Sequence, residues 1–151
     1  MAGRVELLLI AAEHSGELTH PDAVEAIAGR GIEGDRYCLA EPSAGKASEG
    51  NITLIETSAL EHLASIGIDV TGADVRRNVV VSGIELNGLV GQEFTVGPVR
   101  CFATELCDPC NYIEKRTKPG VLRGLVERGG IRARIVEGGQ IKLGDEVKPC
   151  T

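Results

Sequence analysis

Short runs rich in valine and isoleucine, separated by glycine-containing turns, are the feature of this sequence that most restricts its fold. Eight such runs predict β-strands, over residues 5–12, 22–27, 52–55, 78–82, 93–96, 99–106, 131–136 and 140–143. Turns such as Asn87-Gly88 and Gly97-Pro98 favour hairpins, whereas a doubly wound α/β fold needs a crossover between parallel strands. With 20 glycines and 3% aromatic residues, the chain is expected to turn often and to pack an aliphatic core.

Helical periodicity is confined to three segments. Apolar residues recur at helical spacing over 57–66, where Ser58 and Glu61 have the form of a capping box. A second helix is predicted to begin at Asp108-Pro109, and a third covers 121–126 before Gly129-Gly130. About eight strands with about three peripheral helices predict a mainly β fold, either a β-barrel or a curled mixed sheet, in one domain over 1–151.

The charge and the chain ends limit the class of protein. The net charge is −6 and the pI is near 5.1, which argues against a nucleic-acid binder because phosphate neutralisation needs clustered lysine and arginine. The apolar run 5–12 contains Glu6 and is too short for a membrane span or a signal peptide. We therefore expect a cytoplasmic protein with no membrane or nucleic-acid partner.

Five cysteines, an odd number, do not suit a disulfide framework in a chain with no export signal: Cys38, Cys101, Cys107, Cys110 and Cys150. We expect at least one thiol to be free.

Cys110 is the strongest candidate for a catalytic residue. An apolar strand ends at Leu106, Asp108 is a good N-cap and Pro109 suits the first helical position, so Cys110 is expected at the second. Backbone N–H groups and the positive end of the helix dipole stabilise a thiolate there. The alternative is a small buried hydrophobic residue.

Cys107 forms a Cys-x-x-Cys pair with Cys110. Such a pair is half of a structural zinc site, but no second half is visible, and His14, His20 and His62 form no ligand pattern. A dithiol redox motif also follows a strand and opens a helix, so a dithiol oxidoreductase remains an alternative.

Arginines cluster in two further motifs. The segment 31–37 carries Gly34-Asp35-Arg36, and the segment 74–81 carries Arg76-Arg77-Asn78 at the start of an apolar strand. Guanidinium groups beside strand ends suit the capture of a phosphate or carboxylate. The alternative is that Arg36 pairs with Asp35 or Asp74 on the surface. Two such loops favour a binding site only where they meet near Cys110.

Several motifs taken in order resemble the MOSC domain, which is named for the C-terminal part of molybdenum cofactor sulfurase. They are Gly31-Ile32-Glu33-Gly34-Asp35-Arg36-Tyr37, Ile52-Thr53-Leu54-Ile55-Glu56, Arg76-Arg77-Asn78-Val79-Val80-Val81-Ser82-Gly83, Leu89-Val90-Gly91, Pro109-Cys110 and Gly144-Asp145. The resemblance covers nearly the whole chain, from about Val5 to Val147. It implies a β-rich barrel whose cleft binds the molybdenum cofactor or carries sulfur on a cysteine.

The resemblance also implies roles for single residues. Cys110, which follows Pro109, corresponds to the cysteine that serves as a metal ligand in relatives that reduce N-hydroxylated compounds, or that is proposed to carry sulfane sulfur in sulfurase-type relatives. Arg36, Arg76 and Asn78 correspond to residues that contact the cofactor's phosphate and pterin. The implied partners are an anionic pterin or a sulfur donor, with a redox or molybdoenzyme partner protein. Pyridoxal phosphate binding is a further family association.

Two departures from the family pattern bear on activity. Relatives with reductase activity often carry an arginine two residues before the Pro-Cys pair, where this chain has Cys107. They also tend to have an added domain that encloses the pterin, so this chain resembles a minimal member. Three hypotheses follow: a MOSC-type protein acting through Cys110, a dithiol oxidoreductase using Cys107 and Cys110, and a non-enzymatic anion-binding module.

Overall fold

Ten β-strands and one α-helix are found in the described part of the structure, a computed structural model that describes residues 2–11, 19–35, 38, 52–67, 77–106 and 130–150. The strands are β1 (Gly3–Leu8), β2 (Ala23–Ile27), β3 (Gly31–Ile32), β4 (Ile52–Glu56), β5 (Val79–Ser82), β6 (Glu93–Val96), β7 (Val99–Leu106), β8 (Ile131–Glu137), β9 (Gly139–Lys142) and β10 (Glu146–Pro149). The helix is α1 (Thr57–Ser65), and a 3-10 turn covers Asn87–Leu89.

Seven of these strands close into a barrel in the order β1-β10-β6-β7-β8-β4-β5, with β5 pairing back to β1. Neighbouring barrel strands are antiparallel except β4 and β5, which are parallel and have α1 in their connection. Parallel neighbours need such a crossover, whereas the antiparallel β6 and β7 are joined by the two-residue turn Gly97-Pro98. A second sheet has the order β3-β2-β9. The predicted mainly β barrel is therefore confirmed.

The barrel interior is aliphatic, as the composition predicts. In β7 and β8, buried and more exposed residues alternate along the strand, which is the period expected of a barrel wall. Phe94 is the largest fully buried side chain, and it lies among valines, leucines and isoleucines. A continuous apolar interior of this kind is the main source of the barrel's stability.

Most predicted strand bounds agree with the structure. The strands over 93–96 and 99–106 have the predicted bounds, four others differ by one residue at one end, and β9 is shifted by one residue at both ends. The first strand differs most, because β1 ends at Leu8 rather than continuing through residue 12. Two strands were not predicted: β3 has two residues, and β10 has one fully buried apolar side chain, Val147, among polar neighbours.

The helix predicted over 57–66 is confirmed as α1, but its predicted capping box is wrong. The N-cap is Glu56, and no side chain caps the first turn. Ser58 instead donates a hydrogen bond to Glu56 Oε1 (3.2 Å), and Glu56 Oε2 accepts the N–H of Leu86 (3.2 Å). Because β4 runs directly into the helix, Ser58 lies inside the first turn and not at the N-cap. The helices predicted from Asp108 and over 121–126 lie outside the described residues.

Within the described ranges, no helix is long and apolar enough to cross a membrane.

Candidate functional site

Asn78 is the one predicted site residue that the described part of the structure includes. Cys107, Cys110, Arg36 and Arg76 lie outside it, as does His14. Their chain neighbours Leu106, Asp35 and Arg77 are described, however. These three neighbours and Asn78 show where the described ends of the site segments lie.

Asn78 is buried, at 3% exposure, at the start of β5. Its side-chain Oδ1 accepts hydrogen bonds from the N–H of Thr53 (3.1 Å) and from Thr53 Oγ1 (3.2 Å), and Nδ2 donates to the carbonyl of Leu9 (3.2 Å). The Asn78 N–H donates to Thr53 Oγ1 (3.0 Å). These bonds join β4 to the segment that follows β1. Asn78 thus has a positioning role, and its contact with a cofactor stays a prediction.

Asn78→Asp tests this arrangement, because a carboxylate cannot donate to the Leu9 carbonyl. We expect the free energy of unfolding to fall by about 2–4 kcal/mol at neutral pH, since the buried donor is lost and a buried charge is added. The loss should shrink at acidic pH, where the carboxyl group is protonated and donates again. Chemical denaturation at several pH values measures both effects.

The matched control is Asn87→Asp, the same change at the half-buried 3-10 turn. Equal losses at the two positions, or a loss that does not vary with pH, contradict the hydrogen bond assigned to Asn78 Nδ2.

The segment Leu9–Ala11 joins several parts of the chain. The N–H of Leu9 donates to the carbonyl of Asn78 (2.8 Å), and that of Ile10 donates to the carbonyl of Thr19 (3.2 Å). The N–H of Ala11 donates to Asp35 Oδ1 (3.1 Å). Three successive amides therefore bind three separate segments, which explains why β1 ends at Leu8. The Gly-Asp-Arg and Arg-Arg-Asn motifs converge on this segment.

Asp35 is buried, at 6% exposure, in a turn that two glycines make possible. Gly31 and Gly34 have φ values of 129° and 87°, a region that side chains with a Cβ rarely adopt. The Asp35 N–H donates to the carbonyl of Ile32 (3.0 Å), and its carbonyl accepts the N–H of Cys38 (3.0 Å). The Asp35 carboxylate is therefore buried rather than at the surface, and Arg36 and Asp74, the other residues of the alternative pairing, lie outside the described residues.

A single row of paired residues connects the end of β7 with the start of β5. Leu106 pairs with Ile131, Ile131 with Leu54, Leu54 with Val79, and Val79 with Leu8. Three strand spacings separate Leu106 from Val79, about 14 Å along the sheet. Cys107 therefore directly follows one end of this row, at Leu106. Asn78 directly precedes another member of the row, Val79.

The charges of the two motifs favour an anionic ligand. Residues 35–36 and 76–78 contain three arginines and one aspartate, although the whole protein has a net charge of −6. Arg77 is 7% exposed, which places a guanidinium group largely out of water. A guanidinium group attracts a phosphate or carboxylate more strongly where it is shielded from water. The described residues contain no group of three or more His, Cys, Asp or Glu side chains that could hold a metal ion.

A cavity of about 730 Å³ lies at the opposite end of β5. Its described lining includes Glu56 and Glu85, with Ile84, Leu89 and Pro149, and no basic residue. Ser82, which lines it, is four residues from Asn78, about 13 Å along the strand. Two carboxylates disfavour an anionic group such as a pterin phosphate at the described part of this cavity.

The three described cysteines are free, as the odd count predicts. Cys101 is fully buried in β7, and burial, with a smaller contribution from Cys150, raises its pKa to about 12. Such a thiol is protonated at neutral pH and is a poor nucleophile. Cys150 is exposed after β10, and Cys38 is half-buried beside the Gly-Asp-Arg turn.

Comparison with known proteins identifies the family of the chain. The model of the MOSC domain matches residues 41–148, which is more than half of the sequence. The chain belongs to the MOSC domain family. This family is associated with molybdenum cofactor binding. A search of curated proteins finds no match.

Solved structures share the fold of this MOSC domain at low sequence identity. The YUAD protein from Bacillus subtilis has a TM-score of 0.81 at 20% identity, over 99% of this chain and 96% of that one. YiiM from Escherichia coli has a TM-score of 0.71 at 12% identity, over 98% and 70% of the two chains. YiiM from Geobacillus stearothermophilus has a TM-score of 0.67 at 14% identity, over 99% and 75%. At such identities the likeness shows the fold.

The described part of the MOSC domain does not favour pyridoxal phosphate. That cofactor is bound as a Schiff base by a lysine held in a pocket. The lysines of the described ranges are Lys142 and Lys148, and both are exposed strand residues.

Proposed function

We propose that this MOSC protein binds the molybdenum cofactor, or a related anionic pterin, and acts through the Cys110 sulfur as a metal ligand or as a sulfur carrier. The observation that supports the proposal most is the convergence of two motifs on one segment. Asp35, next to Arg36, binds Ala11, and Asn78, two residues after Arg76, binds Leu9. In this family, two arginine-bearing loops brought to one segment suit the capture of a cofactor phosphate.

The protein's own residues bind and orient the ligand in this proposal. Arg36 and Arg76 bind its phosphate through charge-assisted hydrogen bonds, and the buried Asn78 holds the loop that presents Arg76. Cys110 supplies a soft thiolate ligand, which suits molybdenum. When bound, the cofactor supplies the redox chemistry that reduction of an N-hydroxylated compound needs. A redox partner protein supplies the electrons.

In the sulfur-carrier form, Cys110 holds the sulfur as a persulfide received from a sulfur donor. Cys107 can then release it: the Cys107 thiolate attacks the inner sulfur of Cys110, a disulfide forms between the two residues, and hydrosulfide leaves. A molybdoenzyme partner is the acceptor of that sulfur. A dithiol reductant then restores both thiols, which completes the cycle.

The test is the composition of protein produced in a host that makes the molybdenum cofactor. Metal content, an optical spectrum and an intact mass are recorded on the same sample. Molybdenum at near one equivalent supports the metal-binding form, and a mass increase of about 32 Da that is lost on reduction supports the sulfur carrier. Protein with neither contradicts the proposal. A Cys107–Cys110 bridge in protein that, once reduced, gains no sulfur from a persulfide donor favours the dithiol oxidoreductase, because a sulfur carrier would gain about 32 Da before the bridge forms.

A further inference from the structure

The N–H of Ala11 binds a side chain at a place where the sheet would ordinarily supply a backbone partner. In the pairing of β1 with β5, Leu8 lies opposite Val79, and the Leu9 N–H continues this register to the carbonyl of Asn78. The N–H groups of alternate residues in a strand point to the same side. The Ala11 N–H therefore points to the side of β5, where the same register predicts residue 76 as its partner. Residue 76 lies outside the described residues, and the described acceptor of the Ala11 N–H is Asp35 Oδ1 (3.1 Å).

The Asp35 carboxylate thus accepts a hydrogen bond from the side of the strand extension that faces β5. Burial of a carboxylate is costly unless hydrogen bonds compensate for the lost water. Asp35 accepts the Ala11 N–H, and its own backbone is fixed by Ile32 and Cys38. The turn that carries Arg36 is therefore joined to the same strand extension that Asn78 joins to β4 and β5. The bond spans 24 residues of sequence.

We propose that Asp35 is a positioning residue: its bond to the Ala11 amide joins the Gly-Asp-Arg turn to the strand extension that Asn78 also binds, and the capture of an anionic group through Arg36 depends on this bond. This inference rests on the proposed function for the identity of that group. The bond to the Ala11 amide needs an acceptor oxygen at position 35. Asp35→Asn keeps such an oxygen and Asp35→Ala removes it.

The experiment measures the affinity for inorganic phosphate, used as the probe, by following amide shifts in an NMR titration. We expect Asp35→Ala to weaken phosphate binding about tenfold and Asp35→Asn to stay within about twofold of the wild type. The Ala11 amide should exchange with solvent faster in Asp35→Ala and at the wild-type rate in Asp35→Asn.

A double-mutant comparison separates positioning from a general structural effect. Because Asp35 acts through Arg36, Asp35→Ala should cause no further loss of phosphate affinity in an Arg36→Ala background. Asp145→Ala is the matched control, since Asp145 Oδ2 also accepts a backbone N–H, that of Lys142 (2.8 Å), in a turn remote from the motifs. It should leave phosphate affinity unchanged.

An equal loss from Asp35→Ala in the wild-type and Arg36→Ala backgrounds overturns the inference, as does an equal loss in Asp35→Asn and Asp35→Ala. A different result contradicts the proposed function alone. In that case the wild-type protein binds phosphate and the Asp35 variants behave as expected, but the protein never contains molybdenum or extra sulfur. Wild-type protein that binds no phosphate overturns both.

Discussion

Cys110→Ser should lose almost all of the molybdenum, or all of the extra sulfur, that the wild-type protein carries. Serine keeps the size of the side chain, but its hydroxyl is not ionised at neutral pH and cannot form a persulfide. Cys101 is not a substitute for Cys110, because Cys101 is buried with its pKa raised to about 12. Elemental analysis and intact mass on protein from a cofactor-competent host measure the loss.

Two other substitutions make the Cys110 experiment specific. Cys150→Ser changes an exposed thiol at the end of β10 and should leave the loading unchanged. Cys107→Ser should keep the metal or the persulfide while slowing the release of sulfide, which separates a ligand from a resolving thiol. Wild-type loading in Cys110→Ser refutes the assignment of this cysteine.

Gly130→Ala is expected to cause the largest loss of stability among single substitutions in the barrel wall. Gly130 has a φ of 92°, and a Cβ atom there would overlap the carbonyl group of Leu54 in the neighbouring strand. Relief of the overlap requires β8 and β4 to separate where Ile131 pairs with Leu54. We expect the free energy of unfolding to fall by about 4 kcal/mol or more, as for other severe steric changes.

Gly144→Ala is the matched control for Gly130→Ala. Gly144 has a similar φ of 86°, but an added Cβ would meet nothing within 4 Å. It should cost about 1 kcal/mol from backbone strain alone. Chemical denaturation of both variants isolates the contribution of the overlap, and equal losses would show that the close approach of Gly130 to β4 is not important.

The position of Gly130 also matters for the site. It directly precedes Ile131, which pairs with both Leu106 and Leu54. Cys107 and Cys110 belong to the connection between β7, which ends at Leu106, and β8, which begins at Ile131. The contact with β4 therefore fixes one end of the connection that carries the proposed nucleophile.

The barrel could be predicted because its strands carry a local signal. Alternation of apolar and polar residues in 93–96 and 99–106 gives the correct bounds, since a barrel wall has one buried face. β3 could not be predicted, because two residues contain too little of that period. β10 has one buried apolar side chain, Val147, whereas the equally short β6 has two at alternate positions, Phe94 and Val96. The capping box failed for a similar reason: Ser58 and Glu61 match a pattern, but the approach of β4 makes Glu56 the N-cap.

The candidate site could be predicted in part. The motifs with Arg36 and with Arg76 and Asn78 were identified, and their described neighbours converge on Leu9–Ala11. Asp35 was considered only as a surface partner for Arg36. No local pattern indicates its bond to Ala11, because a backbone amide is the same at every position and the two residues are 24 apart.

By itself, the sequence determined the strand-rich class of this protein, its aliphatic core, its acidic charge and the motifs that place it in the MOSC family. These properties depend on residue type and on spacing over a few residues. Only the tertiary structure decided that Asp35 and Asn78 hold one strand extension, and that Gly130 must lack a side chain. Those facts depend on the register between strands, where distant residues come within hydrogen-bond or contact distance once the barrel has closed.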